Sequence, residues 1–263
     1  MKRLKHVIVA AALAAAGQAA ALDWRDSPEV GALFRAQGVE GTFVLYDAAA
    51  ERYVGHDRER AERRLVPAST FKIPHTLIGL SVGAVRDVDE VLPYGGRPQW
   101  IKQWEQDMSL REAIRVSNVP IYQELARRIG LERMRAQLAA LDYGNGETGG
   151  VVDRFWLEGP LRISALEQVR FLCRLARGQL PFPERAQTAV REIVRLEQGD
   201  GWTLYGKTGW AMDVQPQTGW WVGWVEKGAR PYCFALNMDM KNAEDAARRM
   251  ELGRASLRAL GAL

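Results

Sequence analysis

The sequence predicts an α/β (α+β) fold in which a mostly antiparallel sheet flanked by helices is joined to a helical lobe. Strand-like runs bounded by turn residues lie towards both ends, from Gly41 to His56 and from Thr203 to Met238. Between about Gly83 and Gly199 the apolar residues recur instead near helical spacing. The late strand-like runs follow one another through short connections, so they read as antiparallel neighbours. One sheet built from the first and last thirds, with the middle as a second lobe, is the economical arrangement. Residues 22–263 then form a single domain, with a sheet lobe of about 22–83 and 200–263 and a helical lobe of about 84–199.

Taken in order, the chain opens with Lys2, Arg3 and Lys5, then the apolar run Val7 to Ala16, then the small residues Ala19-Ala20-Ala21. This is the pattern of a cleavable signal peptide over residues 1–21 and implies a periplasmic protein. The run is shorter than the roughly 20 residues that span a bilayer, so no stable membrane anchor is expected. Ser27-Pro28-Glu29 should start a helix that ends near Gln37. Gly41 to Asp47 reads as a strand with Tyr53 to His56 as its hairpin partner, and an arginine-rich loop leads to Leu65. Pro67 marks a turn, and the apolar run after it places Ser69 at or near a helix start. Helical spacing continues in Leu110 to Val116, Ile121 to Ile129, Leu131 to Leu141 and Leu166 to Leu175. Strands follow over Thr203 to Gly209, Gly219 to Val225 and Tyr232 to Met238, and the run from Trp220 to Val225 looks buried on both faces. A helix from about Ala243 to Leu260 closes the chain.

Charge narrows the function. The chain carries 36 basic and 32 acidic residues, a net charge of +4. Three of the basic ones fall within residues 1–21, so about +1 remains, too little to attract nucleic acid or an anionic membrane. Cys173 and Cys233 each lie in an apolar stripe and read as buried free thiols, although an oxidising compartment would permit a disulfide. Arginines far outnumber the 7 lysines. A retained lysine in such a chain is a candidate for chemistry, because a buried ammonium can lose its proton and a guanidinium cannot.

Ser69 and Lys72 stand one helical turn apart, so a hydroxyl and an amine share one face. The pair could be a nucleophile and its base, whereas a lone Ser-x-x-Lys is ordinarily a cap followed by a solvated lysine. A Ser-His-Asp arrangement finds no suitable histidine: His75 lies about 9 Å further up the helix from Ser69, and both it and His56 read as core or surface histidines. Glu158 is followed by Gly159-Pro160 and reads as an exposed turn residue. No His or Cys cluster has metal-ligand spacing, so no metal is expected.

Two further motifs change the odds for Ser69. Ser117-Asn118-Val119 and Lys207-Thr208-Gly209 follow in the order known from serine β-lactamases and penicillin-binding proteins. With Tyr143-Gly144-Asn145 and Trp156-Leu157 added, the chain resembles the class D, oxacillinase-type β-lactamases over essentially its whole mature length. That resemblance implies hydrolysis of β-lactam antibiotics on the serine β-lactamase fold, with Ser69 as nucleophile. Lys72 is then carboxylated by carbon dioxide, or bicarbonate, and serves as general base, with no other cofactor. Val119, Trp156 and Leu157 would support the carbamate, Trp156 by its indole N–H. Ser117 would pass a proton to the leaving nitrogen with Lys207 supporting it by charge, and the amides of Ser69 and Trp210 would form the oxyanion hole. Lys207, Thr208, Gly209 and Arg249 would bind the substrate carboxylate, with Arg248 the rival of Arg249. A small-molecule β-lactam is the expected partner of a monomer or homodimer. A β-lactam sensor and a D,D-peptidase of cell-wall synthesis are the competing readings. Segments around Gly95 to Gln106 and Ala211 to Thr218 should set the substrate range.

Overall fold

The computed structural model describes residues 22–263. The expected signal peptide lies outside the described residues. Strand β1 (Trp24–Asp26) leads to helix α1 (Pro28–Ala36), whose first turn is capped by the Ser27 hydroxyl accepting from Val30 N at 3.2 Å. The hairpin β2 (Gly41–Asp47) and β3 (Arg52–His56) falls where the alternation placed it. The segment expected as an arginine-rich loop holds instead a five-residue helix, α2 (Arg58–Glu62), capped by Asp57. A turn of 3₁₀ helix (Ala68–Phe71) then runs directly into α3 (Lys72–Ser81).

The middle of the chain carries a two-stranded ribbon, β4 (Val91–Leu92) with β5 (Met108–Ser109), and helices α4 (Leu110–Arg115), α5 (Val119–Ile129) and α6 (Leu131–Leu141). Helices α7 (Ala165–Ala176) and α8 (Glu184–Ile193) follow. The last third supplies β6 (Arg195–Gly199), β7 (Trp202–Ala211), β8 (Thr218–Lys227), β9 (Arg230–Asp239) and helix α9 (Asp245–Ala259).

Seven strands make one sheet in the order β1-β3-β2-β9-β8-β7-β6, antiparallel throughout except for the short β1 beside β3. The two ends of the chain meet where β2 pairs with β9, Gly41 opposite Met238. Both faces are covered. Trp220, Val222 and Trp224 of β8 join the core shared with α3, α5 and α7, whereas Trp221 and Val225 join the core under α1 and α9. The run Trp220 to Val225 is therefore apolar without a break, as a strand buried on both sides should be. The segment 84–199 is not helical throughout: it gives α7 to one face of the sheet and β6 to its edge.

The cysteines correct the sequence reading. Cys173 of α7 and Cys233 of β9 form a disulfide with Cα atoms 5.7 Å apart. Their apolar surroundings belong to the packed interface between helix and sheet, and that packing is what brings the two sulfurs together.

Candidate active site

Ser69 stands on the 3₁₀ turn that enters α3, and Ala68 before it adopts φ +48°, a left-handed conformation that is strained for a residue with a Cβ. Surrounding groups hold that turn. Thr70 Oγ1 donates to Pro67 O at 2.8 Å and accepts from Gln168 Nε2 of α7 at 3.0 Å. Trp220 Nε1 donates to Val66 O at 2.9 Å. Strand β7 comes so close that a Cβ on Gly209 would lie 2.8 Å from Pro67 O and 3.2 Å from Thr70 N. Only glycine lets the strand run past Ser69 at this distance.

Lys72 is wholly buried, with Nζ 2.8 Å from Ser69 Oγ and 5.2 Å from the centre of the Tyr122 ring. Burial, with the positive charge of Lys207 second, pushes its ammonium well below the ordinary lysine range. His75, one turn on, is also fully buried, packed against Phe71, Tyr122 and Trp156 with neither ring nitrogen partnered. Burial and then Lys72 bring its pKa down to about 3, so it is a neutral wall of the lysine's enclosure. Trp156 is fully buried too, stacked on Phe71 at 5.8 Å, and its Nε1 has no hydrogen-bond partner.

The opposite wall begins where α4 ends. Ser117 has φ +57°, a second left-handed non-glycine residue beside the site, and its hydroxyl accepts from Lys207 Nζ at 3.0 Å. Lys207 also donates to Thr208 O at 2.9 Å, and burial, with Arg249 second, lowers its pKa to about 7. Asn118 caps α5, its Oδ1 accepting from Ile121 N at 3.1 Å while Nδ2 donates to Trp104 O at 3.3 Å. Arg249 of α9 is buried, donates to Gly209 O at 2.6 Å, and has a pKa lowered by burial to about 10. Arg248 turns elsewhere, to Asp245 at 2.8 Å.

These groups surround a cleft of about 350 Å³. Ser69, Ser117, Thr208, Gly209, Trp210 and Arg249 supply its polar side, and Ile101, Trp104, Val119 and Leu157 its apolar side. Trp100 and Met212 stand exposed at the cleft, one from each of the segments expected to set the substrate range. Glu158 reaches the cleft only at an exposed position, where it accepts from Arg154 at 3.0 Å. Among the described residues no group of three or more His, Cys, Asp or Glu side chains could hold a metal ion.

The structure thus brings together the motif residues that lie far apart in sequence. Sequence reasoning missed Gln168, which braces the turn bearing Ser69, and the enclosing role of His75. A glutamine inside the apolar stripe of α7 was the available signal for the first. The Tyr143-Gly144-Asn145 motif does not reach the cleft. Its task is to clamp the loop that carries Trp156 and Leu157. Asn145 donates to Pro160 O and accepts from Arg162 N, both at 2.9 Å, and a Cβ on Gly144 would collide with Arg162 O at 2.1 Å.

Comparison with known proteins accords with this geometry. Residues 41–257 match the penicillin binding protein transpeptidase domain. Beta-lactamase OXA-5 of Pseudomonas aeruginosa is 44% identical over 212 residues, which is 80% of this chain and 79% of that one. Beta-lactamase OXA-48 of Klebsiella pneumoniae is 39% identical over 226 residues, covering 86% and 85% of the two chains. The crystal structure of FUS-1 (OXA-85), a class D β-lactamase from Fusobacterium nucleatum subsp. polymorphum, superposes with a TM-score of 0.88 at 41% identity, covering 91% of this chain and 100% of the other. With identity of this order extending over most of its length and the same fold, the chain belongs to the class D β-lactamase family.

Proposed function

We propose that this protein hydrolyses the β-lactam ring of penicillin-type antibiotics through an acyl-enzyme on Ser69, with carboxylated Lys72 as general base in both half-reactions. The observation that carries the reading is the Lys72 amine, sealed from water and 2.8 Å from Ser69 Oγ. The residues present fit carboxylation. A lysine whose ammonium is disfavoured by burial offers the free amine that carbon dioxide needs, and the unpartnered Trp156 Nε1 is a donor that a buried anion there would require. On Lys72 the carbamate supplies an anionic proton acceptor at neutral pH.

Ser69 Oγ loses its proton and attacks the lactam carbonyl carbon. The amides of Ser69 and Trp210 stabilise the oxyanion, that of Ser69 lying where a helix start leaves backbone donors without partners. As the C–N bond breaks, Ser117 gives its proton to the departing nitrogen, and Lys207, in contact with Ser117, restores it. Thr208 and Arg249, which line the cleft, hold the substrate carboxylate with Lys207 behind them in contact with Ser117. Water then attacks the ester carbonyl, freeing Ser69 and leaving the ring-opened diacid. Val119 and Leu157 keep bulk water from the lysine. The Cys173–Cys233 disulfide supports an oxidising compartment, and with the leader pattern of residues 1–21 favours the periplasm.

Nitrocefin turnover tests the reading. Activity should fall by about 100-fold or more in bicarbonate-depleted buffer or on Lys72→Ala, and bicarbonate should restore only the unsubstituted enzyme. Turnover indifferent to both would end the proposal. Acylation of Ser69 without release would favour a sensor, and Glu158→Gln should keep activity within about twofold, since Glu158 is exposed and paired with Arg154.

A further inference from the structure

A second cavity of about 290 Å³ shares Thr208 and Arg249 with the cleft. Four cationic residues line it: Arg115 at the end of α4, Arg195 at the start of β6, Lys207 and Arg249. No Asp or Glu does. Of the acids near these residues in sequence, Glu112 accepts from Ser109, Glu192 pairs with Arg111 and Glu197 with Arg254, while Glu251, next to Met250, is exposed and does not line the cavity. Among the described residues neither Arg115 nor Arg195 has a salt-bridge partner, although 18 such pairs form elsewhere.

Surface arginines are ordinarily just solvated, so charge alone would prove little. Two buried donors say more. Arg249 is 9% exposed and Trp221 1%, both line this cavity, and Arg249 Nε and Trp221 Nε1 have no acceptor. Trp221 Nε1 faces Gly206, another lining residue: a Cβ there would lie 3.4 Å from it and 3.2 Å from Leu196 Cδ1. Buried donors without acceptors destabilise a fold, and a ligand bearing acceptors removes that penalty. The rest of the wall is apolar, and Leu196 and Met250 keep 50% and 39% of their surface exposed.

We propose that this cavity binds a small organic carboxylate carrying an apolar tail. Its head is held by the guanidinium groups of Arg115, Arg195 and Arg249, and its tail lies on Leu196 and Met250. Charge-assisted hydrogen bonds from guanidinium groups suit a carboxylate, and a half-enclosed basic cavity concentrates anions. Because Arg249 and Thr208 serve both spaces, an occupant here opposes binding of the substrate carboxylate, and by reciprocity substrate opposes the occupant. That coupling rests on the function proposed above; the site itself does not.

The test uses the full chain, octanoate as probe and constant ionic strength. Equilibrium dialysis of labelled octanoate should show saturable binding of one molecule per chain, with octylamine at the same concentration not retained. Combining Arg115→Ala with Arg195→Ala, two exposed positions outside the catalytic set, should weaken octanoate binding about tenfold or more while leaving penicillin turnover without octanoate unchanged. Octanoate should raise KM for a penicillin and leave kcat alone in the unsubstituted enzyme, and do neither in the double variant. Absence of saturable binding overturns the site. So does binding that the double variant retains and that acylation of Ser69 abolishes, which would put octanoate in the main cleft. Should the protein hydrolyse no β-lactam at all, the function proposed above fails and the dialysis still decides the site.

Discussion

Trp156 offers the sharpest separation of packing from chemistry. Its ring is packed on Phe71, Phe155 and His75, whereas its Nε1 bonds to nothing. Trp156→Phe keeps most of the packing and removes the donor. Release of the acyl group should then slow by about 10- to 100-fold, read as accumulated acyl-enzyme in mass spectra, and an unchanged release rate would detach Trp156 from the mechanism. Lys207 makes a pH prediction with two opposite limbs. Its pKa of about 7 means that it is charged below that pH and neutral above, so kcat/KM for a carboxylate-bearing substrate should fall as pH rises through about 7. A methyl-ester substrate should show a shallower limb, because Lys207 then acts only in restoring the Ser117 proton. Stability should move the other way. Between about 7 and the unperturbed 10.5 the unfolded chain binds the lysine proton and the folded chain does not, so this group's contribution rises with pH across that window. A urea-unfolding series with Lys207→Met as reference would show it. At this scale Ser69, Lys72, Ser117 and Lys207 were legible because each sits in a short motif. Gln168 and His75 were not, since their importance comes from neighbours on other elements.

The proposed mechanism requires the strand bearing Lys207 to Trp210 to stay against the turn bearing Ser69. Gly209→Ala tests that contact directly. The added methyl would meet Pro67 O at 2.8 Å and Thr70 Cγ2 at 3.1 Å, so strand and turn must part. A displacement of about 1 Å at reacting groups can lower rates by about 100-fold, so kcat/KM should drop on that order, and the overpacking should lower the unfolding free energy by about 1 to 3 kcal/mol. Full activity would mean that the strand can shift without consequence. The strong elements were readable: α1, β2, β3, α5, α6 and β7 to β9 lie where alternation, helical spacing and caps put them. The weak ones were not. Helix α2, Arg-Glu-Arg-Ala-Glu, has five residues and no apolar stripe, so its Asp57 cap was the only mark. Strand β6 is almost wholly exposed at the sheet edge and shows no alternation. Helix α8 had a usable signal, with Ala186, Val190 and Ile193 buried at helical spacing behind Pro183.

For the whole molecule the disulfide joins two layers, helix α7 and strand β9, across 60 residues of chain. Constraining a loop of that length in the unfolded state stabilises the fold by roughly 4 kcal/mol in the chain-entropy view. Replacing both Cys173 and Cys233 by Ala should therefore lower the unfolding free energy by about 2 to 4 kcal/mol and leave kcat nearly unchanged, since neither cysteine lines the cleft. Unfolding curves with and without the pair would decide. Two cysteines in apolar stripes could not announce this bond, because only the packing of helix on sheet makes them neighbours. The pairing of β2 with β9 has a different consequence. Position 41 must wait for position 238 before the middle of the sheet can close, so a chain still being made has no stable centre. Contacts this distant in sequence slow folding. Until its last strand is available the polypeptide lacks the neighbour that closes the middle of the sheet, so the two ends of the gene product set together or not at all.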